Sequence, residues 1–467
     1  MLFSSIPFLY YFLPFVLLFY FAAPRKLKNA VLLTASLLFY FYGEQAASVL
    51  LLFSAASGYL AGLAIKKHGK SGKGKAALIA VILLNLLLLG FFKYADFFIG
   101  NTNALFKTSL PFLHNHLPLG ISFFVFQTIS YAVDVWRDNS LAEKNPLNFT
   151  MYVAMFPQLV AGPIVRYSTV AGDLKNRKHT ADRFASGIGR FTIGLGKKVL
   201  IANALGQLSS AMLQAAAPTV LSRWLSIFAY VLQIYFDFSG YSDMAIGLAR
   251  LFGFNFPENF NYPFIADSIS DFWRCWHISM GTWFREYVYI PLGGNRVSAA
   301  KWVRNIFIVW LCTGFWHGAN WNFILWGLYF GILLCLEKLF VGKLLKKLPR
   351  LLRHIYTLTL VFFSFVLFYI ESLPAMVSHL FGMLGVGGLP LANVESLYSL
   401  KSYALLLIIA CIGATPLMKN GINTLAQKKP AGTILAVLTP VFYGVLLLVS
   451  TAYLVDASFN PFLYFRF

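Results

Sequence analysis

Charge is what this chain has least of. Only 12% of its 467 residues are Asp, Glu, Lys or Arg, against roughly 25% in a soluble domain. Acids are scarcest, 17 against 38 bases, which leaves few carboxylates for a relay across a membrane. The four cysteines, Cys275, Cys312, Cys335 and Cys411, lie far apart without metal-ligand or redox spacing, so a disulfide framework is not expected. H-E-x-x-H, a phosphate-binding P-loop and G-x-S-x-G are all missing, and no metal site is expected. The N-terminus lacks a basic region and a small-residue cleavage site, so its first apolar run reads as a retained helix. The longest polar stretch is about 166–185, too short for a soluble domain.

Hydrophobic residues supply most of the rest. They make up 58% of the chain, and its mean hydropathy is +0.68. Apolar runs long enough to cross a bilayer recur along the whole length. They are continuous rather than alternating, which argues against a β-barrel. Candidate spans are 4–22, 29–43, 46–65, 76–99, 119–136, 149–165, 186–206, 219–239, 303–318, 320–341, 354–372, 401–418 and 432–455. About eleven true crossings are expected, because some runs are short enough to be tilted or re-entrant. The reading is an all-α polytopic membrane protein with one domain over 1–467. Within it lie a polar, partly embedded segment at 255–304, histidine-bearing helices at 305–341 and C-terminal helices at 400–467.

The net charge of +21 would suggest nucleic acid in a soluble protein. Here the bases sit in short loops between apolar runs: Arg25, Lys26 and Lys28; then Lys66, Lys67, Lys70, Lys73 and Lys75; then Arg137 and Lys144. The intervening loops at 44–45 and 100–118 carry few. This pattern puts the basic loops in the cytoplasm and the N-terminus outside, with no nucleic-acid partner expected.

Against that background a few polar residues stand out. Between Asn305 and Glu337 there is no Asp, Glu, Lys or Arg, and His317 is the only histidine; ionisable groups of this kind at membrane depth are functional by default. On a continuous helix Trp310, Gly314, His317 and Trp321 share one face, with Gly314 and Gly318 leaving room for a substrate. Neutral imidazole suits general-base activation of a hydroxyl or thiol. The competing reading is a histidine bonded to a neighbouring helix for packing. His277 lies in Asp271-Phe272-Trp273-Arg274-Cys275-Trp276-His277, where Asp271, Arg274 and His277 repeat the i, i+3 spacing. A structural ion-pair network fits that segment as well as catalysis does. Asp237 ends an apolar run and is expected to meet a base of the polar segment, to meet His277, or to stand alone. Gln158 precedes Gly162-Pro163, a break that lines a cavity or kinks a helix. Leu292-Gly293-Gly294-Asn295-Arg296 reads as a tight turn.

Taken together, these segments resemble the membrane-bound O-acyltransferase (MBOAT) family, and within it the bacterial branch that O-acetylates alginate-like polysaccharide and peptidoglycan. The match is carried by Phe156-Pro157-Gln158-Leu159-Val160-Ala161-Gly162-Pro163-Ile164, by Tyr235 to Asp243, by Asp271 to Ser279, by Trp283-Phe284-Arg285-Glu286-Tyr287, by Ile290 to Arg296 and by Phe315-Trp316-His317-Gly318. It covers essentially the whole chain. Cys275 departs from the pattern, standing where relatives usually carry a second Arg. The resemblance implies a helical ring around a funnel or tunnel, with His317 and His277 as the catalytic histidines at its constriction. Asp271, Arg274, Trp276, Trp316, Asn320, Asp237 and Gln158 are then expected to bind the donor or support the site. It also implies a bacterial cytoplasmic (inner) membrane protein that binds no cofactor tightly and uses acetyl-CoA or another cytosolic acyl thioester as donor. The acyl group would pass to an extracytoplasmic SGNH-type partner and on to a polysaccharide acceptor. D-alanyl transfer to teichoic acid is the second enzyme reading. A transporter is the rival from another class, although no matching pair of interrupted spans supports it.

Overall fold

The computed structural model describes every residue except 161 and 457–467, so Ala161 of the Gly162-Pro163 motif and the tail of the expected C-terminal segment lie outside the described residues. Those residues form α-helices, short π- and 3₁₀-helical stretches and loops, with no strand. This is the all-helical solution that hydrocarbon demands, since each helix satisfies its own backbone hydrogen bonds. Six helices are long and apolar enough to cross a membrane: Ser48–His68, Gly72–Phe106, Trp321–Leu345, Arg350–Tyr369, Val394–Gly413 and Lys429–Asp456. Pro7–Ala22 and Leu373–Met383 are shorter apolar helices.

The expected span at 149–165 is not one helix. Pro146–Ala154 and Phe156–Leu159 are short helices, and residues 163–166 carry no helix. Pro157 and Pro163 have no N–H to continue a helical ladder, and the Tyr152 hydroxyl donates instead to the Val165 carbonyl at 2.9 Å. This irregular stretch is buried, the one setting in which a membrane protein tolerates it.

The chain divides into two compact units, Met1–Phe191 with Tyr241–Pro257, and Thr192–Gly240 with Glu258–Phe467. In the first, Ser48–His68 packs closely on Ile121–Arg137 because Gly58 and Gly62 face Thr128 and Tyr131, where a Cβ would collide. Polar side chains cross-link this packing: Ser54 Oγ bonds Asn85 Oδ1 at 2.6 Å and lies 3.1 Å from Thr128 Oγ1. Phe3, Phe8, Phe39 and Phe156 form an aromatic cluster beside it.

The second unit is built on a helix hairpin. Ala299–His317 and Trp321–Leu336 run back to back, and their closest approach is at Gly314 and Gly327. A Cβ on Gly314 would run into the Phe323 carbonyl, and one on Gly327 into the Trp310 carbonyl. Arg350–Tyr369 lies against the returning helix. The segment 258–298 forms short helices, Ile269–Cys275 and Ile278–Phe284, followed by a turn in which Gly293 and Gly294 take φ of +99° and +57°. Tyr235, Phe264, Phe272, Trp276, Trp310, Trp326, Phe330 and Phe365 fill the core.

Candidate active site

His317 is the last residue of its helix and is 7% exposed. The chain then breaks at Gly318–Asn320, so Trp321 opens the next helix instead of extending the His317 face. The room expected around Gly314 and Gly318 is also taken, by the returning helix and the Phe323 ring. Three rings wall the imidazole: Trp316 and Trp326 each at 5.0 Å, and Phe368 at 5.3 Å between centroids. The Trp326 indole N–H is buried and has no hydrogen-bond partner among the described residues. A buried donor left unpaired costs about 1–3 kcal/mol, so it marks a place where an acceptor would be welcome.

The second histidine reaches the Trp316 ring. His277 is fully buried, and its ring lies 5.9 Å from that of Trp316. It does not extend a helix from Arg274. Ile269–Cys275 ends first, and His277 takes a φ of +45° as the residue before Ile278–Phe284. Such a conformation is strained for a non-glycine residue and must be held by its surroundings. Asn259 holds it. The Asn259 Oδ1 accepts from the Ser279 backbone N–H at 3.2 Å and from Ser279 Oγ at 2.9 Å, which fixes that atom as the oxygen. His277 Nδ1 lies 3.1 Å from the same oxygen and must therefore donate, so the neutral ring carries its proton on Nδ1 and leaves Nε2 as acceptor. Burial pushes the His277 imidazole down to about 3, so it stays neutral in the working range. Phe238 packs edge-on against it at 4.7 Å.

The other expected residues divide by position. Trp276 is buried and stacks on Phe272 at 5.6 Å, joining the core below the histidines. Trp316 is the ring both histidines touch. Asn320 caps Trp321–Leu336, its side-chain oxygen accepting from the Trp321 N–H at 2.6 Å. Asp237 forms a buried ion pair with Lys198 at 2.6 Å. Asp271 and Arg274 make no ion pair with each other. Arg274 is exposed, and Asp271 with Cys275 lines a cavity of about 580 Å³ shared with Arg350, Arg353 and Lys419. Gln158 belongs to the other unit, where its Nε2 donates to the Tyr152 carbonyl. Asn259 and Asn322 were not legible beforehand. Asn322 is fully buried and donates to the Phe368 carbonyl at 3.2 Å, fixing the ring that packs on His317. Their only signal was an amide in an apolar or aromatic setting. Among the described residues no group of His, Cys, Asp or Glu is arranged to hold a metal.

Residues 74–379 match the model of the membrane-bound O-acyltransferase family. The chain belongs to that family. It is 40% identical to a protein of Azotobacter vinelandii named "Probable alginate O-acetylase AlgI", with 100% of both chains covered. A Helicobacter pylori protein named "Peptidoglycan O-acetyltransferase" is 36% identical over 85% of this chain and 82% of its own. A Bacillus subtilis protein named "Teichoic acid D-alanyltransferase" is 32% identical over 54% of this chain and 68% of its own. The chain is therefore a multi-pass membrane acyltransferase, and the transporter reading falls away.

Proposed function

We propose that this protein takes an acetyl group from a cytosolic thioester, acetyl-CoA as the simplest donor, and passes it across the membrane for O-acetylation of an extracytoplasmic polysaccharide. The full-length likeness to proteins named for alginate and peptidoglycan O-acetylation supports the acetyl reading over D-alanyl transfer, whose namesakes match about half of the chain. Orientation follows from the basic loops, with the N-terminus outside and the protein in the bacterial cytoplasmic membrane. Delivery of the group to the polymer falls to a separate extracytoplasmic SGNH-type partner.

The observation that carries the site assignment is the position of His317, at a helix end against the Trp316 ring that His277 also meets and against Trp326 with its unpaired indole N–H. His317 acts as the general base. It takes the proton of the acceptor hydroxyl as that oxygen attacks the thioester carbonyl; the carbon–sulfur bond then breaks, and the proton goes on to the leaving thiolate. The Trp326 indole donates to the carbonyl oxygen as it gains charge. His277, held as the Nδ1–H tautomer by Asn259, offers Nε2 as a second acceptor and positions the reacting groups.

The test is incubation of the purified protein with labelled acetyl-CoA, with and without an SGNH-type partner. Wild type is expected to release CoA and transfer label; His317→Ala at equal protein level is expected to lose both. Wild-type turnover by His317→Ala would sink the assignment, and label transferred from a D-alanyl carrier but not from acetyl-CoA would favour the teichoic acid reading.

A further inference from the structure

The first unit holds a second built feature, remote in sequence from the histidines. Tyr20 is fully buried, and its hydroxyl donates to the Phe252 carbonyl at 2.8 Å while accepting from Arg177 Nε at 3.0 Å. Around this anchor the cations gather. Lys28 Nζ lies 4.7 Å from the Tyr20 ring and 5.1 Å from Phe21, Arg177 sits 4.5 Å over Phe254, and His179 Nε2 is 3.4 Å from the Tyr20 hydroxyl. Arg25 and Arg183 lie close enough to act on His179 as well. None of Arg25, Lys28, Arg177 or Arg183 forms an ion pair among the described residues, and one Arg183 nitrogen is buried without a partner. The nearest acids do not neutralise them. Asp173 Oδ2 accepts the Asn255 N–H at 3.1 Å, and Asp182 is exposed in the first turn of its helix.

Beside the cations runs an apolar groove of about 490 Å³, walled by Phe21, Ala181, Phe184, Ala185, Ile188 and Leu251, with His179 and Arg250 at its polar edge. Uncompensated positive charge at one end of an apolar channel is the complement of an anionic amphiphile. A free anion would use the charges and leave the groove empty; a neutral lipid would do the reverse. In the orientation proposed above, the Arg25–Lys28 loop faces the cytoplasmic leaflet, where anionic lipids and juxtamembrane bases attract.

We propose that this groove is a binding site for one anionic phospholipid, its phosphate held by Lys28, Arg177 and Arg183 and an acyl chain lying along Phe184 and Ile188. The lipid would tie the chain segment after Pro7–Ala22 to the start of Ala181–Gly196, the two stretches that contribute the cations. Occupancy does not depend on the acyl-transfer reading, because binding can be measured without turnover.

The test uses the full-length protein, purified and delipidated in neutral detergent, with dioleoyl phosphatidylglycerol, dioleoyl phosphatidylcholine and inorganic phosphate as probes. Native mass spectrometry and the thermal midpoint are the readouts. Phosphatidylglycerol is expected to be retained in preference to phosphatidylcholine and to raise the midpoint. Lys28→Gln should lose about fivefold of that preference, the worth of one base near a lipid surface, while its lipid-free midpoint stays at the wild-type value. Ala185→Trp, which fills the groove and leaves every cation in place, should abolish retention. Equal retention of the two lipids by wild type would overturn the proposal. So would an undiminished preference in both Lys28→Gln and Ala185→Trp. A midpoint shift from inorganic phosphate matching that from phosphatidylglycerol would show a free-anion site instead.

Discussion

Lys198 Nζ lies 2.6 Å from Asp237 Oδ1, and both side chains are almost completely withdrawn from solvent. Neither charge is tolerable there alone. The attraction between them largely offsets the cost of desolvating each, and removing one partner leaves the other stranded at about 3–5 kcal/mol. Asp237→Asn and Lys198→Met are each expected to lower the thermal midpoint in detergent steeply. The double variant Lys198→Met with Asp237→Leu should recover most of the loss, because no buried charge remains. A double variant as unstable as the worse single one would show that the pair does more than satisfy itself.

The Asn259 contact to His277 leads to a kinetic prediction. Asn259→Ala removes the acceptor that fixes the Nδ1–H tautomer and the strained backbone at His277. A misplacement of about 1 Å can cost on the order of 100-fold in rate, so kcat should fall by about that much with KM little changed. Asn259→Asp places a carboxylate against the ring, which favours the imidazolium. Since burial holds His277 near 3 in the wild type, the wild-type rate should show no limb from this residue between about pH 5 and 8. The aspartate variant should acquire one. Steady-state rates against pH for the three proteins decide it.

Trp326 can be examined through its single donor. Trp326→Phe keeps a ring against His317 and Phe368 but deletes the buried N–H. Loss of one donor to a developing oxyanion typically costs about 100- to 1,000-fold in kcat. If the N–H has no such role, relieving an unpaired buried donor should leave the rate alone. Measuring kcat beside the thermal midpoint separates the two outcomes.

The all-helical membrane architecture was legible in the sequence, because continuous apolar runs admit few other readings. His317 was legible for the same reason: no Asp, Glu, Lys, Arg or other His lies between Asn305 and Glu337. What failed was local continuity. A helix through Gly318 to Trp321 looked allowed, yet Asn320 supplies a cap and the hairpin turns there. The i, i+3 ladder from Asp271 to His277 looked helical, but the helix stops at Cys275 and His277 takes a left-handed backbone. Partnerships distant in sequence were invisible. Nothing local tells Asp237 that its base is Lys198, or His277 that its acceptor is Asn259, because tertiary packing makes those choices.

His179 gives a stability prediction with a definite sign. Burial and the surrounding Lys28, Arg177, Arg183 and Arg25 lower its pKa from 6.5 to about 4. Between those values the unfolded chain binds more protons than the folded one, so stability rises with pH across that window. The contribution is complete above about 6.5 and is lost as the pH falls toward 4. His179→Gln should flatten this part of the profile. Thermal midpoints from pH 7.5 down to 4.5 are the measurement, and an unchanged slope in the variant would remove His179 as the cause.

Two glycines should behave oppositely. Gly314 sits where the paired helices touch, and an added Cβ would meet the Phe323 carbonyl and the Gly327 Cα. Backbone cannot swing aside as a side chain can, so Gly314→Ala must part the helices. Overpacking of this kind costs about 1–3 kcal/mol, and His317 lies one turn beyond on the same helix, so activity should fall with stability. Gly281 lies within Ile278–Phe284 and has nothing within 4 Å of an added Cβ. There Ala gains helix propensity, about 0.8–1.0 kcal/mol, with no clash to oppose it. Gly281→Ala should therefore raise the thermal midpoint slightly and Gly314→Ala lower it. A stable, active Gly314→Ala protein would mean that the hairpin can open at its tightest point, and that His317 does not depend on this contact for its position.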